Sequence, residues 1–252
     1  MSNNIVVDVT KKSIIVAKNE FKKYFRGKKL ILCAGIMVLI LAMLTILPYV
    51  FGDGLPKEPR ELTLLFVFFA YLIVVLTATL FGSTTIVSEY EERTALITFT
   101  KPIRKISIFL GKFVAAIIVG VLFTLVYYGA TIAICYAVTG AIASETFTSL
   151  GLALLYVFAA MGVAILISSA MKKGSSATIM TFITLLLLMS VLSLALSSSV
   201  ETWWMLDQAA DMIIHTLEGT ESMSAVTAAG VMVVWGLVTS VLSYVLFKRR
   251  NF

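Results

Sequence analysis

Charge is scarce in this sequence. Of 252 residues only 34 are Asp, Glu, Lys or Arg, 13% of the chain, while 60% are hydrophobic. A soluble domain carries about 25% charged residues. So few charges cannot cover that much apolar side chain, so a water-soluble enzyme, a secreted disulfide scaffold and a disordered linker are excluded. Cysteine is nearly absent too. Cys33 and Cys135 both fall in apolar runs and read as packed thiols with no message about redox compartment. There is one histidine, His215, too few for a histidine metal cluster or a Ser–His pair inside a bilayer. Met205 and Met212 lie near it, but methionine in so apolar a chain is a packing residue more often than a soft-metal ligand. No G-x-x-x-x-G-K-[ST] loop occurs to cradle ATP. The expectation is a chain that binds no metal or cofactor of its own.

What is present is long uncharged stretches. Residues 30–52, 62–88, 113–144, 146–171, 174–200 and 222–247 contain no Asp, Glu, Lys or Arg. A helix needs about 20 apolar residues to cross a hydrocarbon core of about 30 Å. Lipid offers the backbone no partner, so a spanning segment is a helix or a strand of a closed barrel. Barrel strands are about 9–11 residues of alternating polarity, and these runs are longer and continuous. They predict an all-α membrane protein with spans at about 30–51, 62–87, 107–138, 148–170, 175–197 and 224–247. The third is long for one crossing; its start is expected at the interface, with Lys112 snorkelling to the headgroups.

The charges fix an orientation. Eighteen of the 20 Lys and Arg lie before the first span, between the second and third, between the fourth and fifth, or in the tail; Lys57 and Arg60 alone lie on the other side. The positive-inside rule then places both termini in the cytoplasm. Nine of the 14 acids lie outside, so the net +6 divides into about +13 inside and −7 outside. The basic balance therefore reads as topology and anionic-lipid contact, with no nucleic-acid footprint. The first 29 residues lack an apolar core, so no cleavable signal peptide is expected. Residues 13–29 instead predict a basic amphipathic helix in the headgroup plane, with Phe21 and Phe25 on its apolar side and Lys22, Lys23 and Arg26 among its cations.

Two connections are longer than a turn requires. Residues 88–105 open with Glu89, Glu91 and Glu92, pass through Leu96, Ile97 and Phe99, and close on Lys101-Pro102, Arg104 and Lys105. Acids first and bases last suit a short helix and its dipole, and Pro102 disfavours helix at the residue before it. Residues 198–221 carry Trp203 and Trp204 with apolar residues spaced among Asp207, Asp211 and Glu218, which predicts one or two short helices at the outer interface, acting as a lid or a gate. No Asp, Glu, Lys, Arg or His sits midway along any span. Proton-coupled transporters and voltage sensors place such groups there, so the chain has no visible energy source and has a loop shaped for docking.

At this loop the sequence resembles the integral-membrane subunits of ABC-2-type transporters. These carry E-x-E-x-G-T-L-x-x-L-L-x-x-P-[IV]-S-R between the second and third helices, then G-K. Here Glu89, Glu91 or Glu92, Thr94, Ile97, Pro102, Ile103, Lys105 and Gly111-Lys112 follow in that order. Arg93, Ala95 and Arg104 depart from the pattern, standing where glycine, leucine and serine are common. The layout matches along nearly the whole chain, 1–252 as a single transmembrane domain. The resemblance implies an exporter subunit that pairs with a second copy or a sister permease and binds a separate ATPase, which uses the ATP. It also implies that Glu89, Glu91, Glu92, Arg93, Thr94 and Phe99 belong to the coupling helix, whose exit Pro102, Arg104 and Lys105 set, and that residues 14–26 make a second ATPase contact. A transport path along Thr77, Ser83, Thr178, Thr181 and Thr184 is a further expectation. The alternative is a secondary transporter or channel working alone.

Overall fold

The structure is a computed structural model and describes residues 2–52, 54–91, 104–220 and 223–250, with nothing said of the side chains of 2–7. Among the described residues eight helices follow one another: α1 Ser2–Arg26, α2 Lys28–Phe51, α3 Pro59–Glu91, α4 Lys105–Thr139, α5 Glu145–Ala170, α6 Gly174–Leu196, α7 Leu206–Glu218 and α8 Ala225–Arg249. No strand occurs among the described residues. Six of the helices, α2 to α6 and α8, are long and apolar enough to cross a membrane. They coincide with the six predicted spans to within four residues, because charges that a hydrocarbon core rejects lie near their ends.

The six spans are not equivalent. The central stretches of α3, α4 and α5 are more than half buried within the chain, while α2 and α6 are largely exposed. On α2 the buried residues Cys33, Met37, Ile40 and Leu44 recur every three or four positions and form one contact stripe. Its remaining surface, including Ile31, Val38, Leu39 and Phe51, is exposed hydrocarbon, which only lipid or another apolar chain can cover. The most extensive helix contact joins α5 to α8. Gly162 there lies against Gly236 and Thr239, with no room for a side chain on either glycine. Small residues at a crossing let two membrane helices approach closely enough for dispersion to hold them.

Two spans are irregular. α3 passes through a π-helical turn at Ala78–Gly82 and unwinds before a last helical turn at Val87–Glu91; α6 carries a π-turn at Thr184–Leu188. Such turns shift the backbone hydrogen-bond ladder and recur at functional sites. Near them, Tyr71 on α3 donates to the carbonyl of Leu185 in the α6 π-turn at 2.5 Å, and the Ser83 and Thr178 hydroxyls pair at 3.1 Å. Thr77, Ser83 and Thr181, expected on a path wall, are fully buried inside the chain. Thr77 and Ser83 satisfy backbone carbonyls one turn back, as intramembrane hydroxyls commonly do.

At the acidic end, the connection predicted to hold one or two short helices carries one among the described residues, α7. Its buried residues, from Leu206 to Leu217, form a stripe against α3, α5 and α8. Tyr128 and Ser149 share a hydrogen bond at 2.8 Å, and Ser149 donates onward to the carbonyl of Ile213 at 2.6 Å, tying α7 to α4 and α5. Arg60 donates to the carbonyl of Leu217 at 2.5 Å, where a cation meets the negative end of the helix dipole. Trp203 and Trp204 stand beside α7, about half exposed. With Trp235 of α8 they line an apolar pocket of about 500 Å³. Trp235 donates to the Trp204 carbonyl at 2.9 Å and Trp204 to the Glu201 carbonyl at 3.0 Å.

Candidate functional site

At the basic end, α1 begins earlier than the amphipathic pattern predicts and ends at Gly27, which takes an extended conformation before α2. α1 does not lie alone on the surface. It crosses the start of α4 at Gly111, where a Cβ would stand 2.6 Å from the Ser13 carbonyl and 2.7 Å from Val16 Cβ. Only glycine permits that approach. Farther along α1, Phe21 packs at a tilt against Phe25 with centroids 4.7 Å apart, and Tyr24 meets Phe81 of the α3 π-turn at 5.2 Å while pairing its hydroxyl with Thr85 at 3.1 Å. Lys22, Lys23, Phe25 and Arg26 face outward, and Lys22, Lys23 and Arg26 line a pocket of about 430 Å³ with Asn19 and Gly27.

The next residue after Gly111 is Lys112, and it does not snorkel. Its side chain is 2% exposed and lies 2.5 Å from Glu20 Oε1 of α1 and 2.8 Å from Glu89 Oε1 of α3. Both carboxylates are largely buried as well. A lysine reaches for the headgroups when no counter-charge is within reach; here two converge on it, and a buried charge persists only when paired. The three residues come from three elements, so the ammonium bridges α1, α3 and α4.

The last turn of α3, Val87–Glu91, is held on every side. The amides of Ile86 and Val87 both donate to Ser168 Oγ at 3.0 Å, so the end of α5 caps this turn. Glu91 Oε2 accepts the Gly174 amide at 2.8 Å and thereby caps the start of α6. Arg250 sits 4.0 Å above the Tyr90 ring and donates to the Ser169 carbonyl at 3.1 Å, bringing in the residue that follows α8. Five residues thus contact α1 through Lys112, and α4, α5, α6 and the tail directly. Downstream, Arg104 precedes the first turn of α4, and Lys105 Nζ lies 3.4 Å from the carbonyl of Lys248 on α8.

Of the residues predicted for coupling, the structure places Glu89 and Glu91 in this junction and Arg104 and Lys105 at its exit. Glu92, Arg93, Thr94, Phe99 and Pro102 lie outside the described residues. Sequence reading missed Glu20, Ser168, Gly174 and Arg250. The G-K pair was the available signal: a glycine followed by a lysine at the start of a span marks a close crossing next to a counter-charge. No group of three or more His, Cys, Asp or Glu arranged to hold a metal ion occurs among the described residues.

Comparison with curated proteins finds no matching relative. A model of the ABC-2 family transporter protein matches residues 14–252, which takes in α1 from Ile14 onward, all six spans, α7 and the junction around Lys112. The chain therefore belongs to the ABC-2 transporter family.

Proposed function

We propose that this chain is the membrane-spanning permease subunit of an ATP-driven exporter, and that the Lys112 junction carries the ATPase stroke into the spans. ABC-2 permeases are transmembrane subunits that work with a separate ABC ATPase. In this proposal the basic end faces the cytoplasm of a cell membrane, as the positive-inside rule requires. Two chains pair to form the path, and ATP is bound and used by the partner. The observation that carries the reading is the set of connections made by Val87–Glu91. This turn ends at the segment predicted to dock on the ATPase, and it is joined by charge or capping to α1, α4, α5 and α6. A push on the loop and on Lys22, Lys23 and Arg26 of α1 is then delivered to the same buried ammonium. The π-turns in α3 and α6 shift the backbone ladders of two of the spans. Differential contact of the ATPase in its nucleotide states would bias inward against outward access.

The test is a triple substitution, Glu91→Ala, Glu92→Ala and Arg93→Ala, in the complete transporter reconstituted in vesicles. Insertion should be normal, while ATPase association weakens and transport falls relative to ATP hydrolysed. Unchanged association and transport would remove the loop from the coupling path. Removing Lys22, Lys23 and Arg26 together should have the same sign of effect, with topology checked separately because these charges also orient α2.

A further inference from the structure

All three tryptophans of the chain line one pocket. It has a volume of about 500 Å³ and lies at the acidic end, between the segment leading into α7 and the start of α8. We infer that this pocket binds a lipophilic organic cation, an ammonium carrying alkyl or aryl substituents. Tryptophans that serve only as an interfacial belt are spread over both membrane surfaces; here Trp203, Trp204 and Trp235 converge on a single cavity. The indole N–H groups of Trp204 and Trp235 are taken by the carbonyls of Glu201 and Trp204, at 3.0 and 2.9 Å. Both rings are thereby fixed, and what they offer the cavity is π surface. Indole is the strongest aromatic partner for an ammonium, and the attraction grows as the cation leaves water. Val231 and Val234 add apolar wall, and the one polar side chain there, Thr227, pairs its hydroxyl with Ser224 at 2.8 Å. Gly230 supplies the rest. No atom lies within 4 Å of the place its Cβ would take, so no helix crossing requires glycine, and the bare backbone leaves the cavity open.

The surrounding charges favour a cation over a neutral or anionic guest. Between Lys173 and Lys248 the sequence has no Lys or Arg, while Glu201, Asp207, Asp211 and Glu218 all fall in that stretch. Glu201 is exposed, and its carbonyl is the one that holds the Trp204 indole. Arg60 is engaged at the Leu217 carbonyl, at the far end of α7, and Lys57 does not line the pocket. An incoming ammonium therefore meets acids and no lining cation. A hydrocarbon tail would be buried as well by aliphatic walls and has no need of three indoles. The volume lies in the range of small-molecule sites, about 300–1,000 Å³. This site stands independently of the transport reading.

Because the chain has no other tryptophan, its intrinsic tryptophan fluorescence reports on this pocket alone. The full-length chain in detergent is titrated with phenyltrimethylammonium and, separately, with tert-butylbenzene, which has the same shape and no charge. The cation should change the fluorescence saturably at one per chain, and bind about tenfold more tightly than the hydrocarbon at equal free concentration. Calorimetry on variants then locates the site. Trp203→Leu removes π surface but keeps apolar surface, and the Trp203 indole makes no hydrogen bond among the described residues, so this variant should lose the preference for the cation. Gly230→Leu, which fills the cavity, should abolish binding. Tyr136→Leu, which removes an exposed aromatic ring elsewhere near the acidic end, should leave binding unchanged. The proposal is overturned if the cation gives no saturable signal, or if tert-butylbenzene binds as tightly, which would make the pocket a seat for lipid chains. It is overturned equally if Trp203→Leu and Gly230→Leu both keep the cation, or if Tyr136→Leu loses as much as they do.

Discussion

An ammonium that is 2% exposed costs several kcal/mol to desolvate, and at Lys112 that cost is offset by two carboxylates within 2.8 Å. The balance makes a definite prediction. Lys112→Met leaves Glu20 and Glu89 as two like charges with no cation between them, and should destabilise the protein by about 3–5 kcal/mol, read as a fall in the thermal midpoint in detergent. Adding Glu20→Gln and Glu89→Gln to that variant should recover most of the loss, because neutral groups of similar shape have no charge to bury. If Lys112→Met is as stable as the parent, the three charges are not coupled. On the opposite face, burial pushes Asp211 of α7 up to about 6, and repulsion from Asp207 adds to the shift, with His215 opposing it and Glu218 reinforcing it. A carboxyl raised in the folded state above its unfolded value of 3.8 is penalised when ionised. The docking of α7 should therefore tighten as pH falls from about 7 through 6, and that gain is complete once pH is below the unfolded value. Asp211 is exposed on the solvent side of α7, so screening keeps the effect under about 1 kcal/mol. Thermal midpoints at pH 7.5 and 5.5 should show this dependence in the parent and lose part of it in Asp211→Asn.

Among the elements, α1 and the last turn of α3 show what a sequence pattern holds and what it leaves out. The amphipathic spacing of 13–29 predicts a helix, and the structure has one, extended back to Ser2 and ending at Arg26 before the extended Gly27. The pattern could not give its neighbour, since apolar positions say which face is covered and not by what. The partner is the start of α4, chosen by the missing side chain of Gly111. Gly111→Val should push α1 off α4 by forcing Val16 and the Ser13 carbonyl outward. Hydrogen exchange of residues 8–26 should then rise while that of the central spans is unchanged; unaltered protection would mean the crossing tolerates a side chain. Likewise the cluster of acids that opens residues 88–105 stands out in the sequence, but Glu91 caps α6 from 83 residues away in sequence, a relation that no local signal carries.

The largest scale is where the permease proposal is exposed to a direct test. A chain with no Asp, Glu, Lys, Arg or His midway along its spans needs an external energy source. Purified from its native membrane, it should therefore bring an ABC ATPase with it, and transport in vesicles should require ATP and be indifferent to an imposed ion gradient. Transport that persists without ATP and follows the gradient would favour the secondary transporter. The sequence by itself determined the class of the protein: six spans, their approximate ends and the side that holds the charges. Hydrocarbon rejects charge so strongly that position along the chain is enough to read them. Only the tertiary structure decided which spans form the packed centre, how α7 covers the acidic end, and that Glu20, Glu89 and Lys112 meet. Those outcomes turn on shape and on pairs far apart in sequence, where one absent methyl group or one buried counter-charge selects the neighbour.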